Sequence, residues 1–399
     1  MPSTFIPLIA TLAIQILTAL SMVSVSVLAP SAAPDIGLPP TYVGVFVGLL
    51  YLGAMWSTLL SGGFVRRFGA IRISQLALLA CAAGLLVLLT ASPWLLVISA
   101  LLIGIGYGPI TPASSHVLIK TTPRHLLSLI FSIKQTGVPL GGMLAGLVLP
   151  PLILGFGWRG AVLVVVIACI VIAILSQSTR RQLDTDLEPG VSLTLSLQSI
   201  SAPLKLVWSV PTLRLLGISS FFFSIVQISL TTFLLPYLTS HMKYSLIAAG
   251  VVFSVAQGGG VIGRIVWGYL ADRFLAPPVM LGCIAMLSAT ASVLTALLAP
   301  GTPLPLLLGL FALYGSSAVG WNGVYLAAVA RQAPAGQASM ATGGSLAITF
   351  LGAMLGAPIF GLITEWSGSY GLSFVVTTLP LALCGTALFR ARHVFGKSK

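Results

Sequence analysis

The 399-residue chain is 57% hydrophobic and only 6% charged, with 19 basic against 6 acidic residues and a mean hydropathy of +1.08. An ordinary soluble protein is about a quarter charged, so that class is excluded. A disordered chain is excluded too, because the 42 Gly and 25 Pro sit among aliphatic residues rather than in polar tracts. A bilayer core about 30 Å thick takes about 20 apolar residues per helical crossing, so twelve crossings use roughly 240 residues and leave room for short loops. An outer-membrane barrel would alternate apolar and polar residues, whereas Ala161 to Leu175 is apolar at nearly every position.

Apolar runs predict spans near residues 6–29, 41–63, 73–91, 94–119, 126–149, 158–177, 212–239, 245–270, 279–298, 303–329, 338–362 and 369–389. The first lacks a basic leading region and runs into a second full-length span, which predicts a retained helix rather than a cleaved signal. The second ends in Gly62-Gly63-Phe64-Val65-Arg66-Arg67-Phe68, and the eighth in Gly268-Tyr269-Leu270-Ala271-Asp272-Arg273-Phe274, 206 residues later. Gly137 in the fifth span and Gly343 in the eleventh repeat that offset. Two halves follow, 1–177 and 212–399, joined by a polar linker at 178–211 that holds Asp184, Asp186 and Glu188, half of the chain's six acids. The expected fold is an all-α polytopic membrane protein, with twelve transmembrane helices in two pseudo-symmetric six-helix bundles. Parallel halves of this kind describe a rocking transporter whose site lies between them near the bilayer midplane.

Charge sets the expected orientation. Fifteen basic residues, among them Arg66, Arg67, Arg72, Lys120, Arg124, Arg180, Arg181, Arg273 and Arg331, fall in segments assigned to the cytoplasm, against Arg159 and Lys243 outside. This positive-inside bias places both termini in the cytoplasm and the chain in the cytoplasmic (inner) membrane. The net charge of +13 therefore records topology and anionic lipid, and no nucleic-acid partner is expected. Cys81, Cys169, Cys283 and Cys384 fall one each in the third, sixth, ninth and twelfth spans, with neither zinc-like nor disulfide spacing.

Only Lys134 and Arg264 among the basic residues lie well inside predicted spans, and no carboxylate does. Each sits about 12 Å from the cytoplasmic boundary at 1.5 Å per residue, where a charge costs about 2.5–3.5 kcal/mol on insertion scales. An anionic substrate that arrives and leaves is the simplest counter-ion, and the planar fork of arginine matches a carboxylate. Two other readings stay open: Lys134 reaches to the interface, and Arg264 bonds carbonyls between helices. In the tenth span, Tyr314, Trp321 and Tyr325 share one face of a continuous helix and surround Asn322, the only asparagine in the chain. They line a pocket or pack between helices. Gln257 lies seven residues before Arg264 on the same face. Tyr107 and Gln227 are further candidate contacts, each open to bonding a neighbouring helix instead, as are Gln15, Thr111 and Gln135. His116 reads as interfacial, with a proton relay as the alternative.

Gly268-Tyr269-Leu270-Ala271-Asp272-Arg273 resembles the loop motif of the major facilitator superfamily, and the resemblance covers essentially the whole chain. The first half departs from it, because Arg66 stands at the motif's acidic position and Leu101 to Gly108 lacks the family's fourth-span arginine. Gly137-Val138-Pro139-Leu140-Gly141-Gly142 is partly similar to an antiporter glycine motif. Gly263-Arg264-Ile265-Val266-Trp267-Gly268 is similar to carriers of oxalate and monocarboxylates, in which an eighth-span arginine meets the substrate carboxylate. The resemblance implies a secondary transporter of a small organic anion, a carboxylate, moved by alternating access with proton symport. Lys134, Arg264, Gln257 and Asn322 would hold the anion, and Tyr314, Trp321, Tyr325, Tyr107 and Gln227 would surround it. The family's latch falls on Asp272 and Arg273, opposite Arg124, with Arg66 at the altered first-half position. The alternative is a proton-driven multidrug or solute exporter. No enzymatic activity, cofactor, metal or nucleotide motif is expected, and the chain is read as a monomer.

Overall fold

A computed structural model describes residues 2–123, 126–188, 190, 197–334 and 337–391. In chain order the helices are α1 (Pro2–Ile36), α2 (Val43–Phe68), α3 (Ala70–Leu88), α4 (Pro93–Tyr107), α5 (Ile110–Thr121), α6 (Leu127–Gln135), α7 (Gly137–Leu175) and α8 (Gln177–Leu183). They continue as α9 (Leu197–Ser209), α10 (Pro211–Pro236), α11 (Leu246–Arg273), α12 (Pro277–Ala296), α13 (Leu304–Ala318), α14 (Asn322–Gln332), α15 (Ala338–Ser367) and α16 (Tyr370–Arg390). Among the described residues there is no strand.

Eleven helical stretches among the described residues are long and apolar enough to cross a membrane. The sequence predicts twelve, and the difference lies in Ile130–Leu175, a single stretch of 46 residues. At 1.5 Å per residue it measures about 69 Å, more than twice the apolar thickness of a bilayer. Helical turns run on through Pro150 and Pro151, where the sequence predicts a loop. They are interrupted at Gly157, whose φ of 70° and ψ of 169° suit glycine alone.

The chain forms two compact units. One comprises Met1–Pro40 and Leu49–Leu195, the other Thr41–Gly48 and Ser196–Lys399. In the first, α1 packs along α7, and α3 packs against α4 and α7. In the second, α12 packs on α16, α10 on α15 and α11 on α13. Small residues allow the closest of these approaches. A Cβ on Gly104 would strike the Leu50 carbonyl, and one on Gly259, Gly263 or Gly315 would strike backbone of the facing helix in the α11–α13 pair.

Several predicted spans are broken. The fourth divides into α4 and α5 at Gly108–Pro109, where proline lacks the N–H that would continue the ladder. The fifth divides at Thr136, and the tenth divides into α13 and α14 across residues 319–321. An apolar window does not register such breaks, because hydropathy is blind to which backbone groups are bonded.

The linker is more structured than a polar spacer, with α8 and α9 lying within it. Between them, alternate residues of an extended segment grip three helix ends of the first unit. Asp184 accepts from the backbone N–H groups of Ile71 (2.9 Å) and Arg72 (3.0 Å), capping the exposed amides at the start of α3. Asp186 bridges His116 (2.9 Å) and Lys120 (3.0 Å) on α5. Glu188 pairs with Arg66 at 3.6 Å, and its N–H donates to the Arg66 carbonyl at 2.9 Å. Burial alone would raise the Asp186 carboxyl, but hydrogen bonds from Lys120 and His116 outweigh it and hold the pKa below the ordinary 3.8.

Candidate functional site

In the first unit Lys134 occupies the last turn of α6, beside the break at Thr136. Its side chain is 0% exposed, and Nζ lies 3.4 Å from Thr111 Oγ1 in the first turn of α5. Burial of that degree removes the reading in which the ammonium reaches an aqueous boundary. Tyr107, the last residue of α4, meets Tyr51 edge-on with ring centroids 6.4 Å apart. Tyr51 is buried, and the sequence reading passed over it. A tyrosine inside an otherwise apolar span was the same kind of signal as Tyr107.

In the second unit the polar candidates gather where α13 gives way to α14. The last carbonyls of a helix lack partners within it, and side chains of α11 supply them here. Trp267 Nε1 donates to the Ser316 carbonyl at 2.7 Å, and Arg264 Nε donates to the Val319 carbonyl at 3.3 Å. Gly263 sets this up, because its missing side chain lets α11 close onto Ser316. The half-buried Arg264 is thus held against the break by one edge of its guanidinium, as the carbonyl-bonding reading expected. Gln257 is buried two turns earlier on α11.

Gln227, from α10, reaches the same break. Its Oε1 accepts from Trp321 Nε1 at 2.9 Å and from Asn322 Nδ2 at 3.3 Å. Gln227 and Asn322 are half-buried, whereas Trp321 is 0% exposed and stacked on Phe223 with centroids 4.9 Å apart. The break also divides the aromatic stripe. Tyr325 stays beside Trp321 at 5.2 Å, while Tyr314 packs against Phe374 at 6.3 Å. All three of these aromatic side chains are fully buried. Seven-residue spacing places residues on one face only while the helix is continuous.

All six acids of the chain are engaged near helix ends. Asp35 accepts from Trp158 Nε1 (2.9 Å) and Arg159 Nη1 (2.7 Å), and Glu365 accepts from Thr41 Oγ1 (2.7 Å). Asp272 pairs with Arg331 at 3.0 Å, a partner at the end of α14 that the sequence reading did not name. The guanidinium of Arg273 lies over the Tyr269 ring at 5.8 Å. Arg66, at the altered first-half position, pairs with Glu188 of the linker. Arg124, the expected partner of Asp272, lies outside the described residues. A cavity of about 360 Å³ between α12 and α16 is lined by residues such as Ala289, Val293 and Leu379, and it contains none of the candidate residues.

The family model described as Major Facilitator Superfamily matches residues 11–343 and 220–398. The chain is 26% identical, over an alignment of 400 residues, to the 4-hydroxybenzoate transporter PcaK of Acinetobacter baylyi, covering 91% of this chain and 85% of that one. It is 23% identical over 359 residues to the gentisate transporter of Corynebacterium glutamicum, covering 87% of this chain and 76% of the relative. A solved structure of a bacterial homolog to the human lysosomal transporter Spinster, inward-facing and unoccupied, superposes with a TM-score of 0.78. That match covers 100% of this chain and 98% of the other at 18% identity, and the likeness is one of fold.

Proposed function

The chain belongs to the major facilitator superfamily, and from that premise we propose that it is a secondary transporter carrying a small aromatic carboxylate. It is a multi-pass membrane protein, and it acts as a carrier rather than as an enzyme. The observation that carries the anion is the disposition of charge. Lys134 is wholly buried and Arg264 is held at a helix break, while the six carboxylates are committed near helix ends. A charge kept at such depth costs several kcal/mol unless something repays it, and a substrate carboxylate does so during each cycle. In this reading Arg264 meets the carboxylate, with Gln227 and Asn322 holding the rest of the molecule, while Lys134 is the buried cation of the other unit. Tyr314, Trp321 and Tyr325 stiffen the break from behind. The names of the relatives, carriers of 4-hydroxybenzoate and gentisate, support an aromatic acid.

Twelve crossings, with Gly157 dividing the longest stretch, fit two six-helix bundles at 1–177 and 212–399. The excess of basic residues on one side supports placement in the inner membrane with both termini cytoplasmic. Each described ion pair joins residues assigned to the same side, Asp35 with Arg159 outside and Asp272 with Arg331 inside. Proton symport and a monomeric carrier complete the reading. The test is uptake into proteoliposomes under imposed pH and voltage gradients, comparing labelled benzoates with lipophilic cations. Concentrative uptake of an aromatic acid is expected. Gradient-driven movement of cations, with none of the acids, would overturn the reading in favour of a drug exporter.

A further inference from the structure

We propose that Gln227 and Asn322 form a pair, oriented by Trp321, that recognises a hydroxyl group on the carried acid. This deepens the aromatic-carboxylate reading above and rests on it. An indole N–H can only donate, so the side-chain atom of Gln227 that lies 2.9 Å from Trp321 Nε1 has to be its oxygen. The same oxygen sits 3.3 Å from the Asn322 amide and requires a donor there as well, which makes the near atom of Asn322 its nitrogen. One buried tryptophan therefore orients two amides that would otherwise be free to turn over.

Among the described residues, these two bonds are the ones made by the Gln227 side chain, and both fall on its oxygen. The pair is left offering Nε2 of Gln227 as a donor and Oδ1 of Asn322 as an acceptor. Both side chains are half-buried, in contrast to the 0% exposure of Trp321 behind them. A carboxylate oxygen satisfies the donor alone, and a hydrogen or methyl satisfies neither. A hydroxyl accepts and donates through one atom, and so satisfies both. Polar groups that a bound ligand covers without pairing are costly, so a ligand lacking the hydroxyl is penalised twice. The placement agrees. Asn322 opens α14 directly after the break, and Val319, three residues earlier, receives Arg264. The carboxylate anchor and the hydroxyl reader thus flank the same short segment. Trp321 is a positioning residue and does not touch the ligand.

The test is binding of labelled benzoate and of labelled 2-, 3- and 4-hydroxybenzoate to the full chain in lipid nanodiscs. The parent should bind at least one hydroxybenzoate about tenfold more tightly than benzoate. Gln227→Met and Asn322→Leu should bring that ratio close to one, a loss of discrimination that general damage to the fold, which weakens all four acids alike, does not produce. Trp321→Phe keeps the stack on Phe223 but removes the N–H, and should lower the same ratio because Gln227 is then free to turn. Equal affinity of the parent for all four acids overturns the hydroxyl reading and leaves the carboxylate reading standing. A ratio unchanged in both amide variants also overturns it. Failure of the parent to bind any of the acids overturns both. Should the amide variants not fold, the parent's ratio and that of Trp321→Phe still decide.

Discussion

Lys134 and Arg264 are both cations placed inside apolar helices, yet the structure treats them differently. Arg264 has part of its hydrogen-bonding capacity tied to the Val319 carbonyl, which fixes the orientation of its planar head. Arg264→Lys keeps the charge but loses the fork, and should weaken substrate binding by roughly 10- to 100-fold, the worth of one charge-assisted hydrogen bond. Parent-like affinity in Arg264→Ala would remove the residue from the site. Lys134 is covered completely. Replacing it by a methionine of similar length removes a charge that costs up to about 3 kcal/mol at such depth. Lys134→Met should therefore raise the thermal midpoint in detergent while abolishing uptake. A fall in both would show that the lysine supports the fold rather than the cargo.

Larger than these single contacts is the hold that the linker has on the first unit. Second-half Asp272 at the end of α11 meets Arg331 at the end of α14 directly. Near the ends of the first-half helices α2 and α5 stand two basic residues, Arg66 and Lys120, and the linker carboxylates Glu188 and Asp186 neutralise them. Asp184 adds a cap to α3, made possible by Gly69, whose φ is 96° and whose missing Cβ leaves room for the carboxyl group. Asp184→Ala should cost about 1 kcal/mol, read as a lower thermal midpoint, whereas Asp184→Asn keeps one acceptor for the two N–H groups and should cost less. Gly69→Ala should be at least as damaging, and combining it with Asp184→Ala should add little of the cap's share, since both remove the same contact. Equal loss in the Ala and Asn variants would refute the cap.

The Asp186 bridge carries a pH dependence of definite sign. A carboxyl held below its ordinary value contributes while ionised, so its share is complete above pH 3.8 and is lost as pH falls through the lower folded value. Spin labels at Ile119→Cys and Leu187→Cys, both exposed, should report a constant distance from pH 7.5 to about 5 and a longer one only in stronger acid. Asp186→Asn should lengthen it throughout. Release anywhere between pH 7.5 and 5 would show that the bridge does not rest on the Asp186 carboxylate.

At the scale of the whole molecule, the charge asymmetry makes an orientation that labelling can check. With the four native cysteines replaced, Asp35→Cys and Lys243→Cys should react with impermeant thiol reagents in intact cells. Arg180→Cys and Arg331→Cys should react only after the membrane is opened. Labelling of the second pair in intact cells would overturn the assignment.

Class, charge asymmetry and the two cations inside apolar spans were legible in the chain itself, because each depends on composition over a window about as long as a membrane crossing. The motif at Gly268 to Arg273 was legible for the same reason, being contiguous. Side-chain partners were not legible, because they are set by contacts between segments far apart in sequence. The grip of Asp184, Asp186 and Glu188 on α2, α3 and α5 joins residues about 70 to 120 positions apart. Gln227 looked like one polar residue among several until Trp321, 94 positions away, was found to face its oxygen. The aromatic stripe failed as a stripe for a local reason with a tertiary cause. The helix stops between Ala318 and Asn322, and the carbonyls there are bonded by Trp267 and Arg264 from another helix. Periodicity assumes that each helix completes its own hydrogen bonds. Where a neighbouring helix completes them instead, only the packed structure decides which residues face one another.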